Sequence, residues 1–216
     1  MPSIKLISLD QVGFAYGDFQ IFADVSLDIV KGNIIGLYGE NGCGKSTLLK
    51  LILGELKPQQ GKITSQEKVK ISFLGQNDRD MINGTPLNVE ELVLMYHINS
   101  IKHMAKSRHN RHVGHLLEDF QLSHIAKSKL NQLSGGQLQR VMIVKTLSTH
   151  PDLILLDEPL NQLDEKTQEE MMELILQLKK LGKTIVIILH NKKQLEAIAD
   201  EIYIFKDKKI FLSEVL

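Results

Sequence analysis

Ile34-Ile35-Gly36-Leu37-Tyr38-Gly39-Glu40-Asn41-Gly42-Cys43-Gly44-Lys45-Ser46-Thr47 joins a short apolar run to a glycine-rich turn, and Gly39 to Ser46 fits the pattern GxxxxGK[ST]. The pattern carries weight because of its setting: the strand pattern Ile34 to Tyr38 precedes it and a helical pattern, Lys45 to Leu53, follows. Glycines let successive backbone N–H groups curl around phosphates at a helix N-terminus, where the dipole already favours anions. Gly39, Asn41, Gly42, Cys43 and Gly44 form this cradle. Lys45 adds a point charge for the β and γ phosphates, Ser46 offers a hydroxyl to Mg²⁺, and Thr47 reaches the α phosphate. Cys43 reads as a small residue in a crowded loop, without a redox role.

Further short β-branched runs lie at Lys70 to Leu74, Leu153 to Leu156, Thr184 to Leu189 and Glu201 to Phe205. Helical patterns at Glu165 to Leu181 and Lys192 to Ala199 alternate with them, which predicts an α/β fold with a mainly parallel sheet covered by helices. Lys5 to Tyr16 and Ile21 to Ile29, either side of Gly17 and Asp18, predict an N-terminal antiparallel hairpin. From about Asn77 to Leu147 the rhythm changes to Val89 to His97, His112 to Phe120 and Gln137 to Leu147, all helical. This predicts a helical subdomain over 77–148 inserted in a single domain of 216 residues.

Composition narrows the function. The 26 basic and 26 acidic residues cancel, so no global positive field gathers nucleic acid or an anionic membrane surface. The arginines are only Arg79, Arg108, Arg111 and Arg140. No apolar run approaches the roughly 20 residues of a membrane-crossing helix, and Met1 to Asp10 lacks the pattern of a secretory signal. With a single cysteine and no disulfide framework, a cytoplasmic address is expected.

Leu153-Ile154-Leu155-Leu156-Asp157-Glu158-Pro159 is an apolar strand ending in two acids, whose side chains point to opposite faces if the strand continues through both. Asp157 is then placed to hold Mg²⁺, directly or through water, and Glu158 to orient and deprotonate an attacking water. The plainer reading is a strand-end turn with surface carboxylates. Leu133-Ser134-Gly135-Gly136-Gln137 opens a helix, with Ser134 and Gln137 spaced as a capping box; its two glycines also let backbone approach an anion.

The order GENGCGKST, Gln76, LSGGQ, LILLDEP and then His190 at a strand end resembles the nucleotide-binding domain of ATP-binding cassette (ABC) proteins over essentially the whole chain. The resemblance implies a P-loop NTPase core that binds ATP and Mg²⁺ and hydrolyses ATP to power transport. It implies that two such domains, identical or paralogous, pair head to tail, so that Ser134, Gly135, Gly136 and Gln137 of one close on the ATP of the other. Tyr16 matches the aromatic that stacks on adenine, with Phe14 the lesser candidate. Gln76 matches the glutamine that touches Mg²⁺ and water, and His190 the switch histidine at the γ phosphate. Glu158, His190, Gln76 and Lys45 are then the catalytic set, and Ser46, Gln76 and Asp157 the metal set. Separate transmembrane permease subunits are implied as partners, with the chain held by them at the cytoplasmic face and no nucleic acid bound. Asn88 to Met95 resembles the segment beside which a permease docks, with Val89, Leu92 and Val93 as its buried side, and Val89 to Met95 is similar to small importer subunits for metal ions or chelates.

Three positions depart from the family pattern: Leu160-Asn161-Gln162 where Thr-Ser-Ala is common, Asn191 in place of an aspartate, and Lys208 at a turn that often holds glycine. The alternative function is a soluble ABC ATPase acting on ribosomes, DNA or a protein assembly; a single cassette with no long charged linker argues against it. The sequence stops soon after the last hairpin, so no added regulatory domain is expected. His97, His103, His109, His112, His115 and His124 crowd the helical stretch. Because zinc sites recruit ligands from more than one element, the three-residue repeat from His109 to His115 reads as a solvated helix face, with metal binding the lesser reading.

Overall fold

The computed structural model describes residues 4–66, 68–78, 85–100 and 106–213. Arg79 and His103 lie outside them. The described residues form two sheets. β1 (Lys5–Tyr16), β2 (Phe19–Val30) and β4 (Gln60–Ser65) form an antiparallel sheet in the order β2-β1-β4. β3 (Ile34–Gly39), β5 (Ile71–Leu74), β6 (Leu153–Asp157), β7 (Thr184–Ile188), β8 (Glu201–Lys206) and β9 (Lys209–Ser213) form the second, in the order β5-β6-β7-β3-β8-β9. All its pairings are parallel except the terminal β8–β9 hairpin.

Strand periodicity divides the apolar residues between two cores. Ile34, Ile154, Leu156, Ile185 and Ile187 face one, while Ile35, Leu37, Leu153, Leu155, Val186 and Ile188 face the other. β6 and β7 are buried along their whole length, as strands covered on both faces must be. The second core packs the sheet against α1 (Lys45–Leu53) and the antiparallel sheet. The first runs without a break into the helices between β5 and β6: α2 (Val89–Ser100), α3 (Lys106–Asp119) and α4 (Gly135–Leu147). It also takes in α5 (Glu165–Lys180) and α6 (Lys192–Ile198). Each fully buried Leu, Ile or Val contributes about 1.5–3 kcal/mol relative to exposure, so these two layers hold the fold. Val89, Leu92 and Val93 are buried in the first of them, and Met95 and Ile98 are exposed on the same helix.

β4 was not expected. Five of its six residues are exposed, so it carries no apolar alternation; its place is set by backbone pairing with β1, from Ile7↔Ser65 to Gly13↔Gln60. The histidines overturn the expected solvated helix face. His97 and His109 are buried, at 0% and 4% exposure, while His115 and His124 are exposed.

The three departures find local explanations. Asn191 caps α6, its side chain accepting from Lys193 N at 3.0 Å, which is the task an aspartate performs at such a position. Asp207 and Lys208, at φ 51° and 61°, are the central pair of the β8–β9 turn, where both residues must be left-handed. A lysine there stores backbone strain. Lys208→Gly is expected to raise stability by about 0.5–1 kcal/mol, the relief of strain exceeding the entropy that glycine adds to the unfolded chain. A chemical denaturation midpoint that does not move upward contradicts this. The third departure, at Leu160 to Gln162, belongs to the site.

Candidate functional site

The C-terminal ends of the parallel strands open on a cleft of about 470 Å³. Tyr16, Ile21, Asn41, Gly42, Gly44, Lys45, Ser46, Thr47, Gln76, Glu158, Asn161 and His190 line it, bringing together residues from five widely separated stretches of sequence. The loop from β3 to α1 supplies its floor. Gly44 has φ 106°, and a Cβ there would stand 2.4 Å from Ile21 Cγ2, so only glycine permits both the turn and the close passage of β2. Lys45 is 5% exposed. Its ammonium donates to the carbonyls of Gly39 and Glu40, each at 2.8 Å, which folds the positive charge back against the loop.

The Asp157-Glu158 pair is arranged differently from a continuing strand. β6 ends at Asp157, and Glu158 turns to φ 54°, a left-handed conformation uncommon outside glycine. The two acids therefore do not take opposite faces. Both line one smaller cavity, of about 180 Å³, with Gln76, Gln139 and Asn161. Burial pushes the Asp157 carboxyl above the usual carboxylate range; Ser46, through a hydrogen bond, and Lys45 and Lys50, through their charge, pull it down. Neighbouring Glu158 pushes it further up. Asp157 Oδ1 is buried without a hydrogen-bond partner. A buried orphan oxygen beside a hydroxyl and a second carboxylate suits a hard divalent cation, so Asp157, Ser46 and Gln76 fit Mg²⁺.

Glu158 is held at both oxygens. His190 Nε2 lies 2.8 Å from Oε1, and Asn161 Nδ2 donates to Oε2. Sequence reasoning gives Asn161 no role at Glu158, yet its amide holds the carboxylate; the signal is its place three residues beyond Glu158, across the turn. Leu160 is buried, which anchors that turn. Asp164 caps α5, accepting from Thr167 N at 3.0 Å and from its hydroxyl at 2.8 Å. These bonds hold the Asp164 carboxyl below the usual range.

Tyr16 stands at the rim, 47% exposed, with Phe14 edge-on behind it at 5.0 Å. Phe14 is buried and belongs to the second core, so of the two only Tyr16 presents a ring to the cleft. Ser134 and Gly135 are exposed and lie outside the cleft lining. The capping box forms: Ser134 Oγ accepts from Gln137 N at 3.2 Å, and Ser134 N donates to Gln137 Oε1 at 3.0 Å. A Cβ on Gly136 would meet Thr167 Cγ2 at 2.5 Å. This glycine is thus required by packing against α5, and the Ser134 turn is tied to the segment that Asp164 caps.

One more contact joins the cleft to the helices. Lys145, buried in α4, pairs with Asp78 at 3.7 Å and sits 4.2 Å from the ring centre of Tyr96 in α2. Asp78 follows Gln76 by two residues, so a cation within the helical layer holds the loop that carries the glutamine.

These features are those of the ABC ATPases, and comparison with known proteins agrees. Residues 22–161 match the ABC transporter family profile. The molybdate import ATP-binding protein MolC of Haemophilus influenzae is 36% identical over 203 residues, 91% of this chain and 78% of that one. A putative metal-chelate type ABC transporter, solved in an inward-facing conformation, superposes with TM-score 0.88 at 32% identity, over 98% of this chain and 84% of that one. An ATP-binding cassette of another ABC transporter superposes with TM-score 0.85 at 25% identity, over 97% and 90%. The chain belongs to the ABC transporter family. Among the described residues no helix is long and apolar enough to cross a membrane.

Proposed function

We propose that this chain is the ATP-hydrolysing subunit of an importer, and that two copies, or one copy and a paralogue, close around two Mg-ATP to drive separate membrane subunits. The single observation that carries the reading is the cleft, where Lys45, Ser46, Gln76, Glu158 and His190 converge beside the rim ring of Tyr16. Backbone N–H groups of the loop bind the triphosphate at the start of α1, and Tyr16 stacks on the base. Ser46, Asp157 and Gln76 hold Mg²⁺, which supplies charge neutralisation as the β–γ bond breaks. Glu158, oriented by Asn161, accepts the proton of the attacking water. His190 Nε2 steadies Glu158 and faces the γ phosphate.

Ser134 and Gly135 are exposed and stand outside the cleft of their own chain, and in this reading they complete the site of a second one. The helices from α2 to α4, read as an inserted unit over 77–148, then carry that turn towards the partner's nucleotide. The exposed Met95 and Ile98 beside buried Val89, Leu92 and Val93 give α2 an apolar outer side for a membrane subunit. The similarity to a molybdate importer and a metal-chelate transporter supports a metal oxyanion or metal chelate as the transported class.

The test is co-expression with any multi-span hydrophobic protein found in the reading frames adjoining that of this chain, followed by detergent extraction of membranes. Recovery of both in one complex, with ATP turnover stimulated by the cargo, is expected. Recovery of the chain only with ribosomes, DNA or a soluble assembly would replace the importer by the alternative ATPase.

A further inference from the structure

His97 near the end of α2, His112 in α3 and His150 in the turn between α4 and β6 each offer a ring nitrogen, and these three atoms all lie within 4.8 Å of one another. We propose that His97, His112 and His150 form a binding site for a divalent transition-metal ion of the zinc class, separate from the nucleotide cleft. The site stands at the opposite end of β6 from Asp157, about 13 Å away along a five-residue strand.

The geometry has the form of a metal site built from three elements. His97 is fully buried, and its Nδ1 lies 2.6 Å from the carbonyl of Ser148. A carbonyl only accepts, so Nδ1 carries the hydrogen and the lone pair is on Nε2; a histidine fixed in this way by a backbone carbonyl is the usual outer shell of a metal ligand. The His97 and His112 rings stack at 4.5 Å, and those of His112 and His150 stand 4.4 Å apart. His112 Nε2 is buried without a hydrogen-bond partner. Leaving such an atom unpaired is costly, and an apolar side chain would fill the same space without that cost. His150 holds φ 52°, a left-handed backbone that sets its ring beside the others, and its exposure leaves a path for an ion and room for water as a fourth ligand.

The donor set selects the ion. Three neutral imidazoles with no carboxylate among them suit Zn²⁺, Co²⁺, Ni²⁺ or Cu²⁺ and disfavour Mg²⁺ and Ca²⁺. Burial foremost, with the neighbouring imidazoles, lowers the His112 pKa to about 4, and burial lowers that of His150; both stay in the unprotonated, ligating form at neutral pH. Asp119 faces His112, while Lys70 and Lys183 face His150, so net charge does not draw cations in and affinity must come from coordination. Ligation at about 2.0–2.1 Å places tetrahedral nitrogens about 3.4 Å apart. Binding therefore requires the three nitrogens, which lie within 4.8 Å of one another, to settle at that spacing, and it fastens α2 and α3 to the base of β6.

The experiment uses the untagged full-length chain, stripped with a chelator and free of nucleotide, titrated with Co²⁺ and then with Zn²⁺ against a chromophoric competitor. One equivalent of Co²⁺ with the intense visible absorption of four-coordinate cobalt is expected, displaced by Zn²⁺. His112→Ala and His150→Ala are expected to weaken binding by at least about 100-fold, beyond the roughly 10–100-fold that loss of an outer-shell partner costs. Asp157→Asn should leave it unchanged, since that side chain serves the cleft. His150 is exposed, so His150→Ala tests the site even if His112→Ala fails to fold. Less than one equivalent bound by the wild-type chain, equal binding by His150→Ala, or loss of binding in Asp157→Asn would each overturn the proposal. None of these outcomes depends on transport.

Discussion

In Glu158→Gln, ATP turnover is expected to fall by at least about 10²-fold while ATP still binds, because a positioned general base contributes about 10²–10⁴-fold. Glutamine keeps the shape of the side chain and an oxygen to accept from Asn161, but it cannot take a proton from water. The bond from His190 Nε2, 2.8 Å from the carboxylate, loses its charged acceptor. Phosphate release and equilibrium ATP binding, measured on one preparation, separate the two effects. With hydrolysis blocked, ATP-loaded protein should also accumulate as a pair, visible by size-exclusion chromatography. Unaltered turnover would remove Glu158 as the base; a strictly single-copy species in the presence of Mg-ATP would count against pairing and leave the base assignment standing.

Lys45→Ala should lower both binding and turnover. The ammonium is nearly enclosed and makes two 2.8 Å bonds to the loop's own carbonyls, so its charge sits where the phosphates must come. A hydrogen bond to a charged group contributes about 1.5–3 kcal/mol, which predicts a loss of roughly 10- to 100-fold in ATP affinity and a larger loss in kcat/KM. Fold disruption is not expected, since Gly39 and Glu40 are partly or wholly exposed and their carbonyls can turn to water. An unchanged circular dichroism spectrum beside normal ATP affinity would contradict the assignment.

Much of this architecture was legible because apolar side chains report it directly. The central strands β6 and β7 are apolar runs buried along their whole length, and the helices after β3, β6 and β7 begin at glycine, aspartate and asparagine caps. The cleft was legible for a related reason: cradling a phosphate needs glycines at fixed spacing, and that spacing survives as a pattern. β4 was not, because backbone pairing rather than burial holds it. The left-handed turn at Glu158 was invisible to strand periodicity, which assumes that alternation continues through Asp157. The histidine cluster was only partly foreseen. The repeat along α3 drew notice, but chain folding keeps His112 from it and adds His97 and His150, and no local spacing encodes that.

The ion pair of Lys145 with Asp78 limits how the molecule can rearrange. Parting the buried Lys145 ammonium from its carboxylate is penalised by several kcal/mol, which holds the strap bearing Gln76 against lifting off alone. It travels with α4, and α4 begins at the turn that Gly136 presses onto Thr167. A displacement of the helices would thereby reach the cleft, and one at the cleft would reach the helices, through one buried charge.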